Sequence, residues 1–128
     1  MKILGIGVDI INNKRIRNLI GNKNFIQRTF GKNEIKLSKR INNKTNYFAK
    51  RFAAKESLAK SLGTGFRNNL NFKDIEVLND RVGRPYYSRS KKIANIINKQ
   101  FNVKKYDLFL SITDEKDYSI AFTILQTK

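Results

Sequence analysis

The chain contains no cysteine and no histidine, and only one proline, in 128 residues. Without cysteine there is no disulfide and no thiol chemistry, and nothing points to an oxidising compartment. The absence of histidine excludes a histidine-based triad and a classical zinc site. With a single proline, no internal repeat and no low-complexity tail, no linker divides the chain, and one domain over residues 1–128 with one modest core is expected. No apolar run approaches the length of a membrane span. Asp9 and Asn12 interrupt the short apolar start, so no signal peptide is expected there, and the cytoplasm is the expected compartment.

Acidic residues are also few. Ten Asp and Glu stand against 27 Lys and Arg, a formal net charge of +17. Such an excess argues for a polyanionic partner. Nucleic acid is the generic candidate. A binder of single strands should interleave exposed aromatics with cations, yet Phe25, Tyr47, Tyr86 and Tyr87 form no one stripe. Abundant Lys, Asn and Ile also suit a chain drifting toward AT-rich codons, which inflates lysine without selection for binding.

Hydrophobic periodicity predicts a strand over 2–10 and a helix over 13–20 that ends at Gly21 and Asn22. A short helix over 32–41 and a long one over 45–62 follow, the latter facing the core with Phe48, Phe52, Ala59 and Leu62. Its small residues Ala49, Ala53 and Ala54 allow close approach to a neighbour. Strands are expected at Phe72 and 75–78, from Pro85 onward, and over 106–112 and 118–125, with a helix over 91–99. These elements predict an α+β domain, a mostly antiparallel sheet packed with a long central helix.

Two segments carry the chemistry. In the first, Arg51-Phe-Ala-Ala-Lys-Glu-Ser-Leu-Ala-Lys-Ser-Leu-Gly-Thr-Gly65, Glu56 and Lys60 lie four residues apart on one helix face, just before a glycine-rich turn. Taken alone, this reads better as a surface ion pair followed by a glycine stop. In the second, Gly5-Ile-Gly-Val-Asp-Ile10, a carboxylate sits in an apolar strand, where it needs a partner or a cation. Asp9 serves either to bind a metal or to cap the helix beginning near Asn12.

Together the two segments resemble the holo-acyl-carrier-protein synthase family of small phosphopantetheinyl transferases. The resemblance extends to Asp74-Ile-Glu-Val, Asn79-Asp80, Gly83-Arg84-Pro85, Leu110-Ser-Ile-Thr and Tyr118-Ser-Ile-Ala, nearly the whole chain in order. It implies the phosphopantetheinyl transferase fold and transfer of 4'-phosphopantetheine from coenzyme A to a serine of apo-acyl carrier protein, which supports fatty acid biosynthesis. Adenosine 3',5'-bisphosphate is the other product. By the same resemblance, Asp9 and Glu56 would hold Mg2+, and Lys60 would meet a coenzyme A phosphate as a catalytic cation. Glu56 or a metal-held water would take the serine proton.

Further along, Gly63 and Gly65 would let backbone approach the nucleotide, with Arg51, Arg84, Pro85, Ser111 and Thr113 completing the coenzyme A site. Arg51 and Lys55 would add positive field, or one of them would be a surface charge. Arg15, Phe25 and Arg28 would dock the acidic carrier protein. A homotrimer is implied, with Phe109, Ile120, Phe122 and Ile124 forming either its interface or ordinary core. One position departs from the pattern. Asp114 stands where many members have histidine, and an aspartate there would repel a phosphate. The alternative is a basic nucleic-acid-binding protein on the same scaffold.

Overall fold

Gly5 and Gly7 determine how the molecule is stacked. A Cβ on Gly5 would lie 1.8 Å from the carbonyl oxygen of Ser61, and one on Gly7 would lie 1.8 Å from that of Ser57. Only glycine lets a strand and a helix backbone come this close. In the computed structural model, which describes residues 1–128, that strand is β1 (Ile3–Asn12) and that helix is α4 (Lys44–Ser61). Between them come α1 (Asn13–Leu19), α2 (Lys23–Thr29) and α3 (Lys32–Ser38). After α4 follow a 3-10 turn (Phe72–Asp74), β2 (Val77–Asn79), β3 (Pro85–Tyr87), α5 (Lys91–Phe101), β4 (Tyr106–Asp114) and β5 (Tyr118–Thr127).

The larger sheet has the order β1-β5-β4 and is antiparallel throughout; β2 and β3 form a separate antiparallel pair. The α+β architecture read from the sequence is therefore present. Strand alternation sorts the sheet into two faces. On the inner face, Gly7 lies beside Thr123 and Leu110, and Asp9 beside Ala121 and Ile112. α4 covers this face, burying Ala49, Ala53, Ala54, Leu58, Ala59 and Leu62 in one core with Ile11, Ala121 and Leu125. The outer rows are Ile6–Ile124–Phe109, Val8–Phe122–Ser111 and Ile10–Ile120–Thr113. Ile6, Val8, Ile10, Phe109 and Phe122 are exposed. Those apolar residues are therefore not core of this chain.

Polar ties hold α4 in place. The Tyr87 hydroxyl donates to the Ala54 carbonyl at 2.6 Å and lies 2.7 Å from Thr123 Oγ1, which is 2.6 Å from Ser57 Oγ. Burial pushes the Tyr87 pKa up, so the phenol stays protonated. Lys55 and Glu34, both fully buried, form an ion pair at 2.6 Å. Lys55 also donates to the Phe72 and Ile75 carbonyls, and Glu34 accepts from the Gly31 and Val77 amides. This network fastens α3 and the 72–77 segment to α4. Lys55 is thus structural, not a surface charge.

Some elements differ from the sequence expectation. Lys23–Thr29 is helical, capped by the Asn22 side chain on the Asn24 and Phe25 amides. Phe72 belongs to a 3-10 turn and not to a strand, and β2 contains only three residues.

Candidate active site

Asp9 is on the inner face two residues beyond Gly7, so the close strand–helix approach carries its carboxylate to the flank of α4. Lys60 Nζ is 3.1 Å from Asp9 Oδ1 and donates to the Val8 carbonyl at 3.0 Å. The helix cap that Asp9 could have supplied comes from Asn12, whose side chain accepts from the Lys14 amide at 3.0 Å. Nor does Lys60 form an ion pair with Glu56. Asp9 is therefore not the cap of α1, and Lys60 bridges helix and strand.

Glu56 is half-buried one turn before Lys60. Burial raises its pKa and the charge of Asp9 raises it further, against the pull of Lys60 and Arg15. Two carboxylates close enough to repel, with no third carboxylate beside them, are a poor closed cage for a metal. They do suit a hard cation that takes one or two carboxylates and completes its shell with water and substrate oxygens, as Mg2+ does.

Glu56 opens into a cleft of about 980 Å³ lined also by Arg15, Phe25, Arg28, Phe52, Phe66 and Phe72. Three of its four rings stack into an apolar wall. Phe66 stacks on Phe72 at 3.9 Å and Phe72 on Phe52 at 5.1 Å. The Arg15 guanidinium sits 5.8 Å from the centre of the Phe52 ring. The structure thus brings Arg15, Phe25 and Arg28 to one cleft with Glu56. Phe25 is buried, in edge contact with Phe30, so it acts mainly as wall. The Phe66–Phe72 stack was not legible in the sequence, where residues 66–71 read as a loop; the spacing of two aromatics after the glycine turn was its only signal.

Gly63 and Gly65 have φ of +80° and +63°, and the Gly65 amide donates to the Ala59 carbonyl at 3.1 Å. Both glycines are needed to end the helix.

The remaining candidates lie elsewhere. Arg51 is buried, stacked 3.7 Å over the Tyr47 ring, and donates from Nη2 to Asn79 Oδ1 at 2.6 Å. Its buried Nε has no acceptor. Burial lowers the Arg51 pKa while Tyr47 and Glu34 oppose the shift. Arg51, Pro85, Lys50 and Asp114 line a small cavity of about 150 Å³ that shares no residue with the cleft. Asp114 accepts from Asn46 Nδ2 at 2.6 Å. Arg84 is exposed in the Asp80–Gly83 turn, its amide bound by the Asp80 side chain. Ser111 and Thr113 are on the outer face, away from α4. One chain therefore holds the expected coenzyme A residues apart: Lys60 pairs with Asp9, Gly63 and Gly65 end α4, Arg51 and Pro85 line the small cavity, Arg84 is exposed, and Ser111 and Thr113 lie on the outer sheet face.

Residues 5–123 match the model of the 4'-phosphopantetheinyl transferase superfamily. The chain belongs to that superfamily. It is 55% identical over its whole length to a holo-[acyl-carrier-protein] synthase of Pelagibacter ubique, which it also covers completely. Among solved structures, it resembles a holo-(acyl-carrier-protein) synthase of Bacillus anthracis in complex with CoA (3',5'-ADP). The TM-score is 0.83 with 32% identity, and all of both chains is covered. A Helicobacter pylori holo-[acyl-carrier-protein] synthase in complex with coenzyme A is also similar. There the TM-score is 0.78 with 28% identity, over 94% of this chain and 99% of that one. The superfamily makes this chain a transferase.

Proposed function

We propose that this protein transfers 4'-phosphopantetheine from coenzyme A to a serine of an acidic apo-acyl carrier protein in the cytoplasm, as one Mg2+-dependent domain serving fatty acid biosynthesis. The observation that carries the reading is that Glu56, in a cleft that also holds Arg15 and Arg28, feels the charges of both Asp9 and Lys60, which pair with each other at 3.1 Å. In the reaction, the serine oxygen bonds to the phosphorus that bears pantetheine, and that phosphorus releases the oxygen of adenosine 3',5'-bisphosphate. Catalysis of such a step consists mostly of positioning and charge neutralisation.

Asp9 and Glu56 are the residues that would hold Mg2+, which when bound neutralises pyrophosphate charge. Lys60 is half-exposed, so it can leave Asp9 and place its ammonium on a phosphate oxygen. Glu56 or a water held by the metal would take the serine proton. The Phe52–Phe72–Phe66 wall offers an apolar surface to the pantetheine arm. Arg15 and Arg28 present cations to the carrier.

The division of the remaining residues supports a site completed between copies of the chain. The outer face of β1, β5 and β4 is apolar and uncovered, and covering it with neighbours in a trimer would bring Ser111 and Thr113 to an interface. Arg51, with its unpaired Nε, would then meet the nucleotide of a neighbouring site together with Arg84 and Pro85. Incubation with coenzyme A, Mg2+ and an apo carrier should add one phosphopantetheine mass to the carrier, and chelation should abolish the gain. An unchanged carrier, with the protein folded and the metal present, overturns the reading.

A further inference from the structure

Asp9 already has a cation on it. Its side chain is 16% exposed, and its one ion-pair partner is the ammonium of Lys60 at 3.1 Å. The same ammonium donates to the Val8 carbonyl at 3.0 Å. A carboxylate oxygen and a backbone carbonyl are oxygens of the kind a hard cation collects, so Lys60 satisfies Asp9 as a small bound ion would. Glu56, which the charge of Asp9 disfavours, takes part in no ion pair. One of the two carboxylates is therefore neutralised from within the chain, and the other is left unpaired.

This arrangement competes with metal. Two positive centres drawn to one carboxylate repel each other, most strongly where water is partly excluded. A divalent ion held by Asp9 and Glu56 therefore drives Lys60 away from Asp9, and little opposes that release. The Lys60 side chain is 51% exposed, and an ion pair so open to solvent is worth at most about fivefold in an equilibrium constant. Lys60 stands in the last turn of α4, just before the Gly63–Gly65 turn, so its side chain can swing aside with the helix unmoved. Lys55 has no such freedom, being held in the interior by Glu34 and two carbonyls.

We propose that Lys60 is the resident cation of the site: it holds Asp9 in the metal-free protein, yields it to a divalent ion, and is thereby released to a phosphate oxygen of the donor. This deepens the transferase reading above and rests on it. Lys60 then lowers the affinity for metal while no donor is bound, and metal and donor favour each other's binding, since such coupling is reciprocal. A Lys60 that only ties α4 to β1 would stay on Asp9 whether or not metal is present.

The test titrates the full-length protein with Mg2+ alone, without coenzyme A, by calorimetry. It also follows the lysine side-chain nitrogens by NMR, the Lys60 signal being assigned by its loss in Lys60→Met. Saturating Mg2+ should move that signal to the position it takes in Asp9→Asn, and should leave it unmoved in that variant. Lys60→Met should bind Mg2+ about three- to fivefold tighter than wild type and yet turn over at least about tenfold more slowly. Loss of structure does not produce that combination. Lys60→Gln should tighten Mg2+ binding in the same direction, with a thermal melt of each variant to check its fold. Arg15→Met removes a charge that also reaches Glu56 but does not pair with Asp9, and should change the Mg2+ Kd by less than about twofold. A Lys60 signal unmoved by saturating Mg2+ overturns the proposal. So do Mg2+ affinities unchanged or weakened in both Lys60 variants, and so does an equal gain in Arg15→Met. A wild-type protein that binds no Mg2+ overturns the proposal and the metal site together. One that binds Mg2+ but leaves the carrier unmodified refutes the transferase reading, while the NMR signal and the Kd still decide the role of Lys60.

Discussion

Gly7 and Ser57 are in backbone contact: a single methyl group on Gly7 would overlap the Ser57 carbonyl oxygen at 1.8 Å. The neighbouring atom is helix backbone and cannot rotate aside, so β1 must move away from α4. Asp9, two residues on, moves with it. Gly7→Ala should cost at least about 3 kcal/mol in urea unfolding. Gly21→Ala, where a Cβ meets nothing within 4 Å, should change stability by less than about 0.5 kcal/mol. Equal, small effects would refute the packing role of the glycine pair.

The Glu34–Lys55 pair should behave as a buried ion pair whose halves need each other. Burial lowers the Lys55 pKa while Glu34 holds its proton on. Lys55→Met leaves Glu34 charged and enclosed and should cost about 3–5 kcal/mol. Adding Glu34→Gln to Lys55→Met should recover part of the loss. A double variant as unstable as the sum of its singles would refute the coupling.

Much of this was legible because it is local. The long helix was expected over 45–62 and is found at Lys44–Ser61. The final two strands were expected over 106–112 and 118–125 and each continues two residues further. Helical and strand periods announce themselves in the chain. What stayed hidden is long-range. Lys55 gives no sign in sequence that its partner lies 21 residues earlier, or that it is buried at all. The Gly-x-Gly of β1 could be matched to a family pattern, but its physical reason is a helix backbone fifty or more residues away. Asp9 was ambiguous until Asn12 proved to be the cap. The seven-residue α2 lacks enough turns for a period to show, and only Asn22 at its start signals it.

Glu56 makes a pH-dependent contribution whose direction is fixed by its raised pKa. The fold favours its protonated form, so its contribution is fully present below the unfolded value of 4.5 and is lost as pH rises through the folded value. At neutral pH the ionised group therefore strains the site. Glu56→Gln should melt higher than wild type at pH 7, and the difference should vanish below pH 4.5. Mg2+ should raise the melting temperature of wild type, but not of Glu56→Gln or Asp9→Asn. Both variants should remain folded and lose turnover by roughly 100-fold or more. A fully active, Mg2+-responsive variant at either position removes the proposed metal site.

The outer sheet face is apolar and uncovered. Val8 and Phe122 are directly opposed in register and 54% and 39% exposed, flanked by Ile6, Ile10 and Phe109. Five large apolar side chains on one face of a three-stranded sheet form a patch that monomers rarely leave in water. Light scattering during gel filtration should give the mass of three chains. Val8→Lys with Phe122→Lys should release monomers, since neither side chain contributes to the chain's own core and the fold should survive in circular dichroism. Activity should fall with the trimer, because Arg51 and Ser111 of a lone chain lie away from Asp9 and Lys60. A folded monomeric variant with full turnover would show that one chain suffices, and that the separation of the expected coenzyme A residues has another meaning.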